Sequence, residues 1–558
     1  MQRTTRRAAM LGAAAAVTSG AANAQSLSDI FTGLTNQQSQ QNQNQNNPAA
    51  SAAAQTPLRP GRQELAPLGY ALGFAPIRAL LTSGDYTDAI DAYRNGPPAA
   101  AIQQTAVTGS DGGPDAQSDV NAAPRALFST SDVFLCNCEL GLMNFDNATF
   151  PVSTEHFGAA HDAVTTDQEH ESGTRLQRLR RFANRIARRG AAFVTGRDEL
   201  AIYTQRDYER VLQLNYLALS YLAAGDRRAY NVNRLAIEEQ DLARRTFEEE
   251  IGRAQERLTT ARNDSTNGSK AASVTDTFRS EFNEYEHVSG RVPSAYVNPM
   301  GFYLSGAIQE ITSIERPALR GNARASYEAA LELVGTSPQL TSAIQAMQAP
   351  PQSGERILHI IIGEGFAPSR QALLYGVQLD QQVVPVRIPI FTPNASNVTR
   401  LQLCTPRGQP ISRLDAVGDV EAMVMRSQQD RMPQMLLGVI ASAWRASTEQ
   451  RFAADMGDFA SAAMQFKQNF DSPDMRSWST LPSKFHIARV RLPPGQTQFR
   501  LDSMAGSRVV HQSPINVAAD LQQCVAYGRV LDGVLTVEQP RRLWIDGGIP
   551  EEEGAPTP

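Results

Sequence analysis

Leu214 to Gln240 reads LNYLALSYLAAGDRRAYNVNRLAIEEQ, and this stretch decides the fold. At helical spacing Leu214, Ala218, Tyr221 and Leu222 fall on one stripe. Gly225-Asp226 turns the chain, and Ala229, Leu235 and Ile237 face back from a second helix. The alternation of small and large residues is that of a tetratricopeptide helix pair, so the text points to a binding or assembly protein before an enzyme.

Working outward, the same grammar recurs twice. Toward the N-terminus residues 65–98 are expected to be helical, with Tyr70, Phe74, Ile77 and Leu80 on one face, a turn at Gly84-Asp85-Tyr86, and Ala89, Ile90 and Tyr93 answering. Toward the C-terminus Met300 to Glu315 is expected as a helix, Arg320-Gly321-Asn322 as its turn and Ala325 to Val334 as its partner. The pairs are unevenly spaced, which predicts an interrupted helical layer rather than a regular solenoid. Between the first two pairs, 99–170 reads as an irregular insertion containing the apolar island Val133-Phe134-Leu135. The basic run RLQRLRRFANRIARRG follows from Arg175. It is expected to be a helix with Arg178, Arg181 and Arg185 outside its apolar stripe, a solvated face in preference to a nucleic-acid patch.

At Ala349-Pro350-Pro351 the text changes. Arg356 to Ile362, Val383 to Phe391, Val398 to Cys404, Phe485 to Leu492, Thr497 to Leu501 and a group around Tyr527 to Val537 read as strands, interrupted by a long helix from Arg431 to roughly Phe470. The expected fold class is therefore multidomain α+β. A tetratricopeptide-like antiparallel helical array spans 61–348 and a mixed α+β domain spans 352–540, followed by a flexible tail at 541–558.

The chain has 558 residues, 41% of them hydrophobic, with 52 Lys plus Arg against 57 Asp plus Glu and a net charge of −5. That balance gives no global attraction to nucleic acid. Residues 1–24 carry a basic start at Arg3, Arg6 and Arg7, an apolar stretch from Ala8 to Val17 and the small-x-small site Ala22-Asn23-Ala24, the order of an export signal. The Arg6-Arg7 pair suggests the twin-arginine route. Residues 25–60 form a Gln/Asn/Ala-rich linker. No Cys follows the cleavage site, which argues against a lipid anchor, and no apolar run of membrane-spanning length occurs. The expected location is the periplasm or cell surface.

Candidate chemistry is sparse. Gly363-Glu364-Gly365-Phe366-Ala367-Pro368 follows the apolar strand HIII, and glycines there can bring backbone N–H groups to an anion, with Arg370 close behind. Pro368 and the missing Lys-Ser/Thr leave a sharp turn as the simpler reading. Cys136, Cys138, His156 and His161 could gather round a metal, but Cys-x-Cys is too close for a zinc knuckle and the histidines are five residues apart rather than four. Cys404 and Cys524 could pair as a disulfide. Trp478, in Asp474-Met475-Arg476-Ser477-Trp478, fills a corner or, if open, anchors a partner. No cofactor is expected.

With GEGFAP, VPVRIPIF, Asn298-Pro299 and the Arg476-Ser477-Trp478 to Leu481-Pro482 segment in view, the chain from Tyr70 to Leu535 resembles an uncharacterised bacterial family of exported tetratricopeptide-containing envelope proteins. The resemblance implies relatives that are often outer-membrane lipoproteins, associated with small lipoproteins akin to curli-secretion and penicillin-binding-protein-activator components. It implies no catalytic residues. The expected function is thus a non-enzymatic envelope scaffold that binds protein partners, outer-membrane lipoproteins or a secretion or assembly complex, through Tyr70, Tyr93, Tyr216, Tyr303 and Trp478 together with the arginine face. The alternative is an envelope hydrolase or cell-wall-modifying enzyme working near Glu364, His359 and Arg370.

Overall fold

The computed structural model describes residues 61–67, 69–96, 132–171, 207–263, 284–350, 354–379, 382–394, 400–437 and 474–541, with single positions between and after them. The export signal, the linker, the arginine run and most of the expected 431–470 helix lie outside the described residues. Strand β1 (Gly61–Ala66) opens the described chain, followed by helices α1 (Ala75–Ser83), α2 (Tyr86–Asn95), α3 (Val133–Asp146) and α4 (Phe150–Glu171). Next come α5 (Asp207–Ala223), α6 (Arg228–Arg262), α7 (Pro299–Thr312), α8 (Leu319–Val334) and α9 (Pro338–Gln348). The C-terminal part contributes β2 (Ile357–Glu364), β3 (Arg370–Leu379), β4 (Gln382–Phe391), β5 (Arg400–Cys404), β6 (Pro410–Arg413), β7 (Asp415–Asp419) and α10 (Val420–Asp430). It closes with β8 (Lys484–Arg491), β9 (Gln498–Ala505), β10 (Arg508–Asn516), β11 (Gln523–Leu531) and β12 (Val534–Glu538). The fold is mixed α+β.

The deciding stretch is the hairpin α5–α6. Gly225 takes φ +75°, a conformation glycine adopts without a side-chain clash, and Asp226 N–H closes the turn on Tyr221 O at 2.8 Å. Leu214, Ala218 and Leu222 are buried as expected. On α6 the buried seam is Ala229, Asn233, Ala236, Gln240 and Ala243, while Leu235 and Ile237 are half-buried. Small residues on the seam let the two helix axes approach; the larger apolar side chains cover its margins. Gly84 makes the same turn between α1 and α2 at φ +87°, with Asp85 N–H on Leu80 O.

Three expectations need correction. Leu65 and Ala66 are not helical: they end β1, which pairs antiparallel with β3. The turn between α7 and α8 is not at Arg320-Gly321-Asn322 but upstream of Leu319, because Pro317 lacks an N–H and disfavours helical geometry at Arg316. Gly321 is helical and exposed. The supposed irregular insertion contains two helices, α3 and α4. Helix α3 starts where Asp132 accepts Phe134 N–H at 3.0 Å, and it is buried on nearly every side, so it has no polar face to announce it.

Three sheets carry the C-terminal part. A five-stranded sheet has the order β12-β11-β2-β8-β7, in which β11 and β2 are parallel and the other neighbours antiparallel. Its two faces are both covered. Ile361, Phe485, Ile487, Val525 and Tyr527 join Tyr216, Leu217, Met300 and Leu304 in one apolar cluster under the helices. Leu358, Ile360, Ile362, Ala488 and Ala526 join Leu401, Leu403, Phe499 and Leu501 of a four-stranded antiparallel sheet, β10-β9-β5-β6. Strand β2 is therefore buried along its whole length, which is why its text is a continuous apolar run rather than an alternating one. The third sheet, β1-β3-β4, packs with Leu258 and Ala261 near the end of α6. Helices and sheet share one core across Ala349-Pro350, and the described residues fall in one compact unit.

Candidate functional site

The odd-numbered positions of β2, β8 and β11 face the helices, and register aligns His359 with Arg489 and Val525, Ile361 with Ile487 and Tyr527, and Gly363 with Phe485 and Arg529. Polar side chains thus enter an apolar seam at its two ends. Each end is met by a carboxylate from a helix.

At one end Arg489 holds Glu310 of α7 through Nε at 2.9 and 3.0 Å and Nη2 at 2.6 Å. Tyr327 Oη of α8 donates to the same carboxylate at 2.8 Å, and His359 Nδ1 lies 3.1 Å from Tyr303 Oη. Burial pushes the Glu310 carboxyl up, but the bidentate guanidinium outweighs it and holds the group below the usual carboxylate range. Burial pushes His359 down to about 4 against the pull of Glu310, so its imidazole is neutral at pH 7.

At the other end Arg529 donates through Nη2 to Gly365 O at 2.6 Å and Thr480 O at 2.7 Å, and its Nη1 lies 3.5 Å from Asp146 Oδ2 at the end of α3. Burial pushes Asp146 up to about 6, against Arg529. Phe145, Asp146, Tyr216, Gly363, Tyr527 and Arg529 line a cavity of about 10 Å³. One turn and more back along α3, Glu139 accepts from Ser479 N, Thr480 N, Thr480 Oγ1 and Tyr70 Oη at 2.6 to 3.0 Å. Its burial pushes it up to about 7 despite these four bonds. Glu209 of α5 accepts Trp478 N–H at 3.2 Å. In the loop 476–481, which has no sheet ladder of its own, the backbone N–H groups of Trp478, Ser479 and Thr480 are thereby satisfied by helix carboxylates, and that of Arg476 by Asp474.

The residues expected to meet a partner are internal. Tyr70, Tyr93, Tyr216, Tyr303 and Trp478 are all buried. Tyr70 and Tyr93 hydroxyls lie 3.4 Å apart, Tyr216 stacks on Phe157 at 5.7 Å, and Trp478 donates Nε1–H to Thr480 at 2.9 Å. The same aromatic character that suits an interface suits a core, and burial assigns these to the core. Arg178, Arg181 and Arg185 lie outside the described residues. Gly363 lines the cavity. Gly365 takes φ +59° and supplies a carbonyl to Arg529 rather than an N–H to a ligand. Glu364 is bonded to His486 at 2.5 Å, and Arg370 donates to Asp474 O at 2.5 Å. His359 and Glu364 are five positions apart on one strand, so they point to opposite faces and do not converge.

The cysteine expectations are corrected too. Cys136 and Cys138 sit on helix α3, about 200° apart round its axis. His156 is bonded to Asn137 Oδ1 at 2.9 Å. Burial pushes the Cys136 thiol up to about 12 and raises the Cys138 thiol well above its ordinary value, which removes thiolate character. Among the described residues no group of three or more His, Cys, Asp or Glu side chains is placed to hold a metal, and His161 is not gathered with the others. Cys404 and Cys524 are free thiols. Leu401 and Leu403 face the five-stranded sheet that carries Cys524, and Cys404, one residue on, points away toward Asp502 at 3.5 Å.

Asp146, Glu139, Glu310, Arg489 and Arg529 escaped the sequence reading. For four of them a signal was present: Glu139 and Asp146 are the two acids in the largely apolar VFLCNCELGLMNFD, and Arg489 and Arg529 sit within the apolar strand text HIARV and YGRV. No helix among the described residues is long and apolar enough to cross a membrane. Comparison of the chain with protein-family models, with curated proteins and with solved structures finds no match.

Proposed function

We propose that this chain is an exported, non-enzymatic scaffold of the bacterial envelope, whose tetratricopeptide-like helical hairpins present a surface to protein partners. One observation carries the reading. The side chains capable of acid–base chemistry, Glu139, Glu310 and His359 at the helix–sheet seam and the Glu364–His486 pair on the other face of the sheet, are buried, Asp146 is nearly so, and all are engaged with groups of their own chain. Those at the seam bolt helices to the sheet and to the 476–481 loop, which is what a rigid platform needs. Leu242 on α6 and Ile314 after α7 remain exposed on the helical layer and are the apolar contacts we assign to a partner. The export-signal pattern in 1–24 supports the envelope location.

The test is a photo-crosslinking amino acid at position 242 or 314 in the full chain, expressed in a Gram-negative host with envelope fractions analysed for adducts. Discrete adducts with envelope proteins that disappear in Leu242→Glu or Ile314→Glu support the scaffold. Cytosolic retention of the chain, or the absence of adducts at both positions, refutes it.

A further inference from the structure

Arg529 is 2% exposed, and both of its hydrogen bonds use Nη2. Among the described residues its Nε and Nη1 have no hydrogen-bond partner, nor has the buried Tyr527 hydroxyl. Asp146 Oδ2 is 3.5 Å from Nη1, well beyond the 2.7–2.9 Å of a charge-assisted bond. All three residues line the one cavity described above, whose remaining lining is largely aromatic and aliphatic. Buried donors left without acceptors mark the place of an ordered solvent molecule or ion. Volume decides which. About 10 Å³ is the least room that admits one water and is too little for a carboxylate or phosphate.

We infer that this cavity is a binding site for a single structural water that accepts from the Arg529 guanidinium and donates to the Asp146 carboxylate, with the Tyr527 hydroxyl as the candidate third partner. A bare halide fits less well, since Asp146 would repel it. The water completes the coordination of an arginine that joins three segments: α3 through Asp146, the Gly363–Gly365 turn through Gly365 O, and the 476–481 loop through Thr480 O. This inference is independent of the scaffold reading, since it concerns how the chain holds itself together.

Crystals of the full chain, diffracting well enough to show ordered solvent, test it. The expected result is one density peak within hydrogen-bond distance of Arg529 and Asp146, with no anomalous signal there after a bromide soak. An empty cavity, a direct bidentate Arg529–Asp146 pair, or a bromide peak overturns it. In solution, water ¹⁷O relaxation dispersion counts long-lived internal waters. Gly363→Ala places a Cβ 3.3 Å from Arg529 Cδ and is expected to remove one of them, with unchanged near-ultraviolet circular dichroism as the check on folding. An unchanged count in a folded variant counts against the site; if the variant does not fold, the crystal result decides.

Discussion

The two acid–arginine pairs of the helix–sheet seam are built from the same chemistry and finished differently. Glu310 and Arg489 meet in a bidentate contact, with Tyr327 on the same carboxylate. Asp146 and Arg529 stand 3.5 Å apart beside a cavity, and the Asp146 side chain retains 11% exposure. The first pair is closed by direct bonds, with His359 Nε2 standing off at 3.8 Å from Glu310; the second leaves donors of the arginine itself over. In a seam this apolar, the free energy of a buried charge depends on how completely its neighbours replace water. The carboxyl groups record the difference: Glu310 is held below its ordinary range and Asp146 is pushed above it.

Glu310→Gln gives the largest expected effect. It keeps the shape but leaves Arg489 buried without a counter-charge, a change worth about 3–5 kcal/mol in denaturant unfolding. A loss below about 1 kcal/mol would mean the directly bonded pair is no more demanding than the one beside the cavity. Asp146→Asn is expected to cost less, about 1–2 kcal/mol at pH 5, because Arg529 keeps its two carbonyl partners.

The same variant separates the pairs by pH. Burial pushes Asp146 up to about 6 in the fold from its ordinary 3.8, so the folded state binds its proton more tightly. Its contribution is fully present below about pH 4 and is lost as pH rises through about 6. Unfolding free energies of the wild type and Asp146→Asn across pH 4 to 7 should therefore converge as pH rises, and parallel curves would show that Asp146 is not strained by burial. His359 has the opposite sign: pushed down to about 4, its contribution is lost as pH falls from about 6.5 toward 4. His359→Asn serves as the control for that slope.

Tyr327→Phe removes one of the donors on Glu310 while Arg489 remains, and about 1 kcal/mol of stability is expected to go with it. Smallest of all is Arg253→Ala, which breaks an exposed i,i+4 pair with Glu249 on α6 and should shift the unfolding free energy by less than about 0.5 kcal/mol. A larger effect there would show that the exposed face of α6 is not simply solvated.

Legibility followed the range of the forces. Helix hairpins were readable where a glycine turn separates two apolar stripes, as at Gly225 and Gly84, because both signals are local. Strands rich in β-branched residues, such as HIII and VPVRIPIF, were readable for the same reason. Strand β3, RQALLYGVQL, was not: its leucines, alanine and glycine carry no strong strand preference, and pairing with β1 on one side and β4 on the other fixes it. Strand β10 contains Pro514, which reads as an interruption and sits on the outer strand of its sheet. Asp532-Gly533 was a hairpin signal inside the expected Tyr527 to Val537 group, and both residues take positive φ between β11 and β12.

What the sequence determined by itself is the inventory of elements whose turns and apolar periodicity are written within a few residues, together with the α+β class. What only the tertiary structure decided is which apolar stripes meet, and hence that tyrosines and Trp478 suited to a partner belong to the core, and that lone charges on α3, α7, β8 and β11 find one another across hundreds of residues. The physical reason is that a side chain's preference for apolar surroundings is intrinsic to it, whereas the partner of a buried charge is set by sheet register and by which helix lies above it.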